Sequence, residues 1–514
     1  MTRLTRILFL AGLALSAAVA MFQNAPGYMD ADYYLLGGQN LVQGRGFSEN
    51  VLWNYLDDPA GLPHPSHAYW GPAVSVLAAA PLVFDPDGGY AAARWAFVLA
   101  AALVPPLTAL LAHRMYNHLS ENRRLECAAL AGALALFPGY YAGFLTTIDA
   151  FGGYMVLGAV FLLVALAGPP TARRALALGA LAGLMQLTRT DGFIWLLAGG
   201  WLCVRKDPRR LIPLVLGFLV VFGPWMIRNL AVFGSPIAPG GLRALWSVEY
   251  NDLFAFPAEI LTTARWLASG PAAIAAARLQ AAGQNLVSAV AVGGLVFLAP
   301  LIAAGLRRLR ARPAVQAGVW VWLAVFGLMS IVFPFAGARG GYFHAAAALQ
   351  PLFWAAVPAG LAAFVEWGGR VRGWQTRQAM RVFSAGAVLI AALVTAFLVQ
   401  VRFVAPALTA NGSAPAPYRP AEALIRQAGA EPDEIVMVNN PPGYALQNDR
   451  PAIVIPAGGL EAITAAAGRF GAAYLVLDPG QGLDEIYDHP EAQPGLAYLG
   501  AAGDLLVFRF EAAP

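Results

Sequence analysis

The stretch Pro26-Gly27-Tyr28-Met29-Asp30-Ala31-Asp32-Tyr33-Tyr34 follows an apolar run over roughly residues 5–22. A carboxylate pair placed just past a membrane-entering segment sits at the lipid–water boundary. There an ionised oxygen stays hydrated yet lies beside anything presented from the lipid. The rest of the chain repeats the apolar character of its start. Of 514 residues, 59% are hydrophobic and 12% charged, against about 45–50% and about 25% in soluble domains. The missing charge leaves long stretches that suit lipid, where a spanning helix takes roughly 20 apolar residues. The chain therefore reads as an α-helical polytopic membrane protein, and no nucleic-acid partner is expected. Cys127 and Cys203 lie in different apolar runs, so a disulfide framework is not expected.

The basic residues fall in clusters. These are Arg3 and Arg6; Arg114, Arg123 and Arg124; Arg173 and Arg174; Arg205, Lys206, Arg209 and Arg210; Arg307, Arg308, Arg310 and Arg312; and Arg370, Arg372, Arg377 and Arg381. Such clusters concentrate on the cytoplasmic side of short loops. Placing all of them inside predicts about 11 spans, near 5–22, 91–113, 125–144, 150–168, 175–188, 191–204, 211–227, 285–306, 314–334, 343–364 and 382–402. The piece 71–84, with Pro72 and Pro81, then reads as an interfacial or re-entrant helix. The N-terminus is expected in the cytoplasm and the C-terminal region outside. The N-terminal run also resembles a signal peptide, although an uncleaved anchor is the favoured reading.

The predicted organisation is a transmembrane domain over 1–402 with external loops at 23–90 and 228–284, a linker over 403–419, and an external α/β domain over 420–514. In that tail, strand-like runs at 435–438, 452–455, 474–477 and 505–508 alternate with helical patterns near 421–429 and 459–469.

Ionisable residues at membrane depth are costly and become functional candidates. Away from the cytoplasmic clusters, the set at the external boundary is Asp30, Asp32, His64, His67, Arg94, Asp149, Arg189, Asp191, Arg228, Arg339 and His344. Carboxylates among arginines suit a reaction on a phosphate-bearing substrate that moves a proton. A guanidinium holds phosphate with two hydrogen bonds, and a carboxylate beside a hydroxyl serves as general base. Arg339, in Gly337-Ala338-Arg339-Gly340-Gly341-Tyr342, sits where glycine permits close backbone approach to an anion.

Five motifs resemble the C-class (GT-C) membrane glycosyltransferases, in particular the protein-mannosyltransferase, aminoarabinose-transferase and rhizobial galacturonosyltransferase-like group. They are Asp30-Ala31-Asp32-Tyr33-Tyr34 with Gln43-Gly44-Arg45-Gly46-Phe47; His64-Pro65-Ser66-His67 with Tyr69-Trp70 and Pro72; and Ala92-Ala93-Arg94-Trp95. The other two are Leu187-Thr188-Arg189-Thr190-Asp191-Gly192, and Pro224-Trp225-Met226-Ile227-Arg228-Asn229 with Phe233-Gly234-Ser235-Pro236. They span most of residues 1–360. The tail carries no such likeness.

The resemblance implies an inverting transfer of a sugar from a polyprenyl-phosphate donor to a glycan, lipid or protein hydroxyl, at the outer face of a bacterial cytoplasmic membrane. It implies Asp30 as base, Asp32 as its helper in place of the family's Glu, and Asp149 as the second-loop acid. His64, His67, Arg94, Arg189, Arg228, Arg339 and Tyr342 would face donor phosphate or substrate. A divalent cation held by Asp30, Asp32 and Asp149 stands open. Plainer uses stand beside these: an Asp as helix N-cap, Arg94 and Arg228 as interface anchors, Arg189 and Asp191 as a hairpin-tip pair, and His344 as a packed ring. A multi-span transporter and a membrane scaffold presenting the tail are the rival functions; a transporter would be expected to show inverted repeats and midplane charge.

Overall fold

The structure is a computed structural model and describes residues 1–169, 171–409, 417–481 and 483–511. Its helical portion contains α1 (Thr2–Ala20), α2 (Met29–Val42), α3 (Ala73–Leu82), α4 (Trp95–Met115), α5 (Glu121–Leu136), α6 (Phe151–Leu166) and α7 (Ala172–Thr188). It continues with α8 (Phe193–Val204), α9 (Leu211–Phe233), α10 (Gly270–Ser288), α11 (Ala299–Arg308), α12 (Pro313–Gly327), α13 (Gln350–Arg372) and α14 (Thr376–Val399). Among the described residues, six helical stretches are long and apolar enough to cross a membrane: Thr2–Ala20, Pro86–Met115, Pro208–Phe233, Pro313–Val332, Pro334–Arg372 and Thr376–Leu408. The other expected crossings fall on α5 to α8 and on the α10–α11 pair. With ten residues, α3 is only about 15 Å long, half the roughly 30 Å of a hydrocarbon core.

Two expected spans are interrupted. The run 125–144 stops being α-helix at Leu136, because Pro138 and the left-handed Gly139 (φ 62°) turn the chain into a short 3-10 segment. The run 285–306 breaks between α10 and α11, where Leu295 and Val296 take positive φ of 45° and 59°. Between α12 and α13 the chain is also irregular: Arg339 (φ −93°) and Gly340 (φ 128°) leave helical geometry. Interrupted backbone at this depth is tolerated where it lines a protein cavity rather than lipid. The helix expected to end at 402 continues to Thr409; residues 410–416 of the expected linker lie outside the described residues, as do 512–514.

Close packing uses small residues. A Cβ on Gly179 would fall 1.8 Å from the Leu214 carbonyl oxygen, and one on Gly217 would fall 2.1 Å from that of Leu176. These glycines let α7 and α9 meet backbone to backbone, the usual device between membrane helices. The turn Arg189–Gly192 joins α7 to α8, and Arg189 leaves the helix with extended geometry (φ −148°, ψ 140°).

The tail is built on a six-stranded sheet made of β1 (Val51–Leu52) from the first loop with β2 (Ile435–Val438), β3 (Ala452–Val454), β4 (Ala472–Leu477), β5 (Leu496–Ala502) and β6 (Leu505–Phe510). The strand order is β1-β3-β2-β4-β6-β5. β1 runs parallel to β3, pairing Val51 with Ala452 and Leu52 with Ile453. The second loop adds a parallel bridge from Ala255 to Ala457. The loops over 23–90 and 228–284 are thus both tied to the tail by backbone pairing, and the first shares an apolar core with it that includes Leu52, Tyr55, Met437, Ile453 and Leu475.

Candidate active site

The first turn of α2 determines which acids meet. Its N-cap is Tyr28, without a side-chain cap bond, so Asp30 and Asp32 both lie inside the helix. Residues two apart on a helix point about 200° from each other and do not share a face. Asp30 therefore turns toward the bundle and Asp32 toward the tail. Asp32 Oδ2 accepts a 2.7 Å hydrogen bond from the Asn440 side-chain amide, and burial pushes its carboxyl up to about 6 against that bond.

Asp30 meets Asp149 and His344, and one donor atom from each lies within 4.8 Å of the others. Asp149 occupies the turn before α6. Its Oδ2 accepts 2.6 Å from the Tyr28 hydroxyl and lies 3.2 Å from His344 Nε2, while its Oδ1 accepts from the Ala150 N–H. Burial opposes its charge, but His344 and these hydrogen bonds outweigh burial and hold the carboxyl below its ordinary range. Asp30 has the reverse balance. Burial, reinforced by the Asp149 charge, raises it to about 6, with His344 and Arg189 opposing.

His344 is positioned by the irregular segment before α13. Its Nδ1 lies 2.9 Å from the Gly340 carbonyl, and its ring stacks on Phe151 with centroids 4.2 Å apart. Both ring nitrogens face acceptors, so without a cation the ring satisfies them only as imidazolium. Arg189 is held by Asp191 at 2.7 Å and lies 3.4 Å from the Gly341 carbonyl; Asp191 also accepts from the Tyr154 hydroxyl at 3.1 Å. The site thus combines two carboxylates of different proton affinity with an imidazole and a guanidinium.

The oxygen set expected to hold a cation changes. Asp32 is drawn away to Asn440, and His344 takes the third place beside Asp30 and Asp149. Two carboxylates and an imidazole form a donor set that suits a divalent ion such as zinc or manganese.

The remaining expected residues are placed elsewhere. His64 Nε2 lies 3.0 Å from the Val51 carbonyl and 3.3 Å from Glu49, and its Nδ1 lies 3.6 Å from Asp57. Burial pulls its proton affinity down, but Asp57 and Glu49 carry it to about 9; its charge is spent fastening the first loop. His67 is buried between Ser66 (2.7 Å) and Ser75 (3.0 Å), and burial with the Arg228 charge lowers it to about 3. A neutral, enclosed ring does not face a phosphate. Arg94 donates to the Ala20 and Gln23 carbonyls, each at 2.5 Å, which closes the C-terminal end of α1. Arg228 lies over Trp225 and Phe233 and bonds the Phe47 carbonyl at 3.1 Å. Arg339 lies over the Tyr250 ring, 3.4 Å from its centre. The Tyr342 hydroxyl accepts from the Trp322 indole at 2.8 Å within the core. Of the ten residues given catalytic or substrate-binding roles, Asp30, Asp149 and Arg189 come together. Tyr28 and His344 complete the cluster. Tyr28 lies inside the first-loop stretch without a charge to mark it, and His344 is one of the boundary residues, with a packed ring as its plainer use.

The site lies near one end of α4. Arg94, which precedes that helix, ties down Gln23; Gln23 in turn accepts from the Thr146 hydroxyl at 2.7 Å, three residues before Asp149. The 21 residues of α4 carry the chain about 32 Å to Tyr116, so Tyr116 marks the opposite end of the bundle.

No family model matches the chain, and no curated protein matches it. Solved structures do. The chain is similar to the archaeal oligosaccharyltransferase AglB from Archaeoglobus fulgidus in complex with an inhibitory peptide and a dolichol-phosphate. The TM-score is 0.55 at 12% identity, over 93% of this chain and 70% of that one. It is also similar to ArnT from Cupriavidus metallidurans in the apo state, with a TM-score of 0.55 at 16% identity over 98% of this chain and 97% of that one. A further structure of the Archaeoglobus fulgidus enzyme, complexed with Zn and sulfate, gives 0.55 at 14% identity over 94% and 69%. At these identities the likeness is one of fold alone: the chain shares the fold of AglB and ArnT.

Proposed function

We propose that the protein is an inverting glycosyltransferase that moves a sugar from a polyprenyl-phosphate donor to an acceptor hydroxyl at the outer face of a bacterial cytoplasmic membrane. The observation that carries this reading is the meeting of Asp30, Asp149, His344 and Arg189 at one end of an apolar helical bundle. The fold supports it, since similar structures are glycosyltransferases and one of them holds a dolichol-phosphate. In this orientation the N-terminus is cytoplasmic and the tail sheet lies outside.

The proposed reaction assigns each group a task. Asp30, with its carboxyl near 6, is largely ionised at neutral pH yet basic enough to accept a proton, the condition for an effective general base. It takes the proton of the acceptor hydroxyl as that oxygen attacks the anomeric carbon. The bond from that carbon to the donor phosphate breaks on the opposite face, and the polyprenyl phosphate leaves with the electron pair. Attack opposite the leaving group inverts the anomeric centre. Arg189, fixed by Asp191, meets the growing phosphate charge. Asp149 stays ionised and, with Tyr28, keeps His344 aimed at the site. A divalent cation on Asp30, Asp149 and His344 would add positive charge for the phosphate. The acceptor is a glycan, lipid or protein hydroxyl entering from the water side.

Purified protein incubated with a panel of polyprenyl-phosphate sugars provides the test. Consumption of one donor with release of polyprenyl phosphate is the expected result. A folded, membrane-inserted protein that consumes none of them, with or without divalent cations, would end the proposal.

A further inference from the structure

We infer that the end of the bundle opposite Asp30 holds an anionic phospholipid, seated beside α14. The inference needs no sugar transfer. It starts from how loosely α14 is attached: of its 24 residues only Ala379, Ala387, Ala391 and Thr395 are buried. The helix stands off from α5 and α13, and the gap is a cavity of about 1690 Å³. Alanines on all three helices, among them Ala129, Ala133, Ala362 and Ala385, leave the space unfilled.

The mouth of this cavity is basic. Arg123, Arg308, Arg312, Arg377 and Arg381 line it, against Glu126 and Glu366. Three of the five guanidiniums are engaged: Arg308 with Glu366 at 2.5 Å, Arg123 with Glu126 at 3.7 Å, and Arg312 with His118 at 2.7 Å. Arg377 and Arg381 are exposed and, among the described residues, have no hydrogen bond or ion pair. They lie four apart on α14, on one face of the helix, so both present free donors to one anion.

The stem is apolar. A second cavity of about 220 Å³ shares Phe137 and Ala392 with the first and continues past Leu145 and Val399. From Arg377 to Val399 the helix rises about 33 Å, close to the roughly 30 Å of a bilayer core. Phosphate-binding donors at a membrane edge, above an apolar furrow of bilayer length, match a glycerophospholipid: the headgroup phosphate on Arg377 and Arg381, an acyl chain along α14. Basic pockets between membrane helices select anionic headgroups in this way.

Native mass spectrometry of the full-length protein tests the site, after delipidation in neutral detergent and addition of phosphatidylglycerol or phosphatidylcholine of matched chains, or of polyprenyl phosphate. Phosphatidylglycerol is expected to be retained in preference. The double variant R377A/R381A is expected to lose about thirtyfold of that retention, from the worth of two arginines near an anionic surface. Both side chains are exposed, so their loss removes no packing. Ala392→Trp, which fills the stem without touching a charge, is expected to weaken both lipids together. Equal retention of the two lipids, or a double variant that keeps phosphatidylglycerol, would overturn the inference. So would arginine-dependent retention of polyprenyl phosphate in place of phosphatidylglycerol. Each outcome is read from bound lipid and is independent of donor consumption.

Discussion

The two faces of α2 set Asp30 against Asp32. Both carboxyls are driven up to about 6, and burial is the first cause for each. Their neighbours differ. Asp30 faces a second acid, an imidazole and a guanidinium, a constellation in which a proton has somewhere to go. Asp32 faces a single amide, Asn440, which fastens the helix to the tail sheet. Similar proton affinity therefore sits in two settings: under the proposed function, the face carrying Asp30 is the one that reacts, while the face carrying Asp32 docks against the tail.

The comparison can be broken most severely at Asp30. Asp30→Asn keeps the shape and removes the base, so transfer is expected to fall about 10²–10⁴-fold, read as initial rate of donor consumption. The same assignment fixes the pH profile. A base near 6 is protonated as pH falls through that value, so the rate should drop about tenfold per unit below pH 6 and level off above pH 7. A flat profile between pH 5 and 7 would remove Asp30 from the base role.

On the same face, Arg189→Ala strands the buried Asp191. Breaking a buried pair typically costs about 3–5 kcal/mol, which should appear as a large loss of thermal stability in detergent as well as of activity. On the docking face, Asp32→Asn should leave the enzyme active and raise its stability. The sign follows from linkage. The Asp32 carboxyl titrates higher in the folded protein, about 6, than in the open chain, 3.8. Folding is thus favoured by the protonated form at low pH, and that contribution is lost as pH rises through 6. The neutral amide avoids the loss, so the variant should gain at most about 3 kcal/mol at pH 8 and little at pH 4. Asn440→Ala takes away a hydrogen bond to a charged group, worth about 1.5–3 kcal/mol. It should loosen the tail from α2, seen as faster proteolysis near residue 440, with transfer reduced only a few-fold.

Much of the fold is legible in the sequence, because hydropathy and basic clusters act over whole helices. The breaks are less legible: Pro138-Gly139 marks one of them, but Leu295 and Val296 are residue types that give no sign of the positive φ they take. The pairing of Val51–Leu52 with the tail strand Ala452–Val454 also escapes notice, since two residues carry no period. At the site, Asp30, Asp149 and Arg189 stand out as charges beside apolar runs. Helical geometry applied to the segment from Met29 onward would already have separated Asp30 from Asp32. His64 misleads because its counter-charges, Glu49 and Asp57, belong to the same loop and are brought to it only by folding. His344 stands among the boundary residues, but its place beside Asp149 exists only once that residue, far away in sequence, lies 3.2 Å from it.

The division of labour on α2 is tested most directly by donor consumption measured side by side for Asp30→Asn and Asp32→Asn, with matched folded protein in the same membrane. The account predicts that the first loses at least about a hundredfold in rate and the second keeps at least about a tenth of the wild-type rate, in keeping with a docking rather than a proton-transfer role. An active Asp30→Asn protein, or an Asp32→Asn protein as dead as its neighbour, would contradict it.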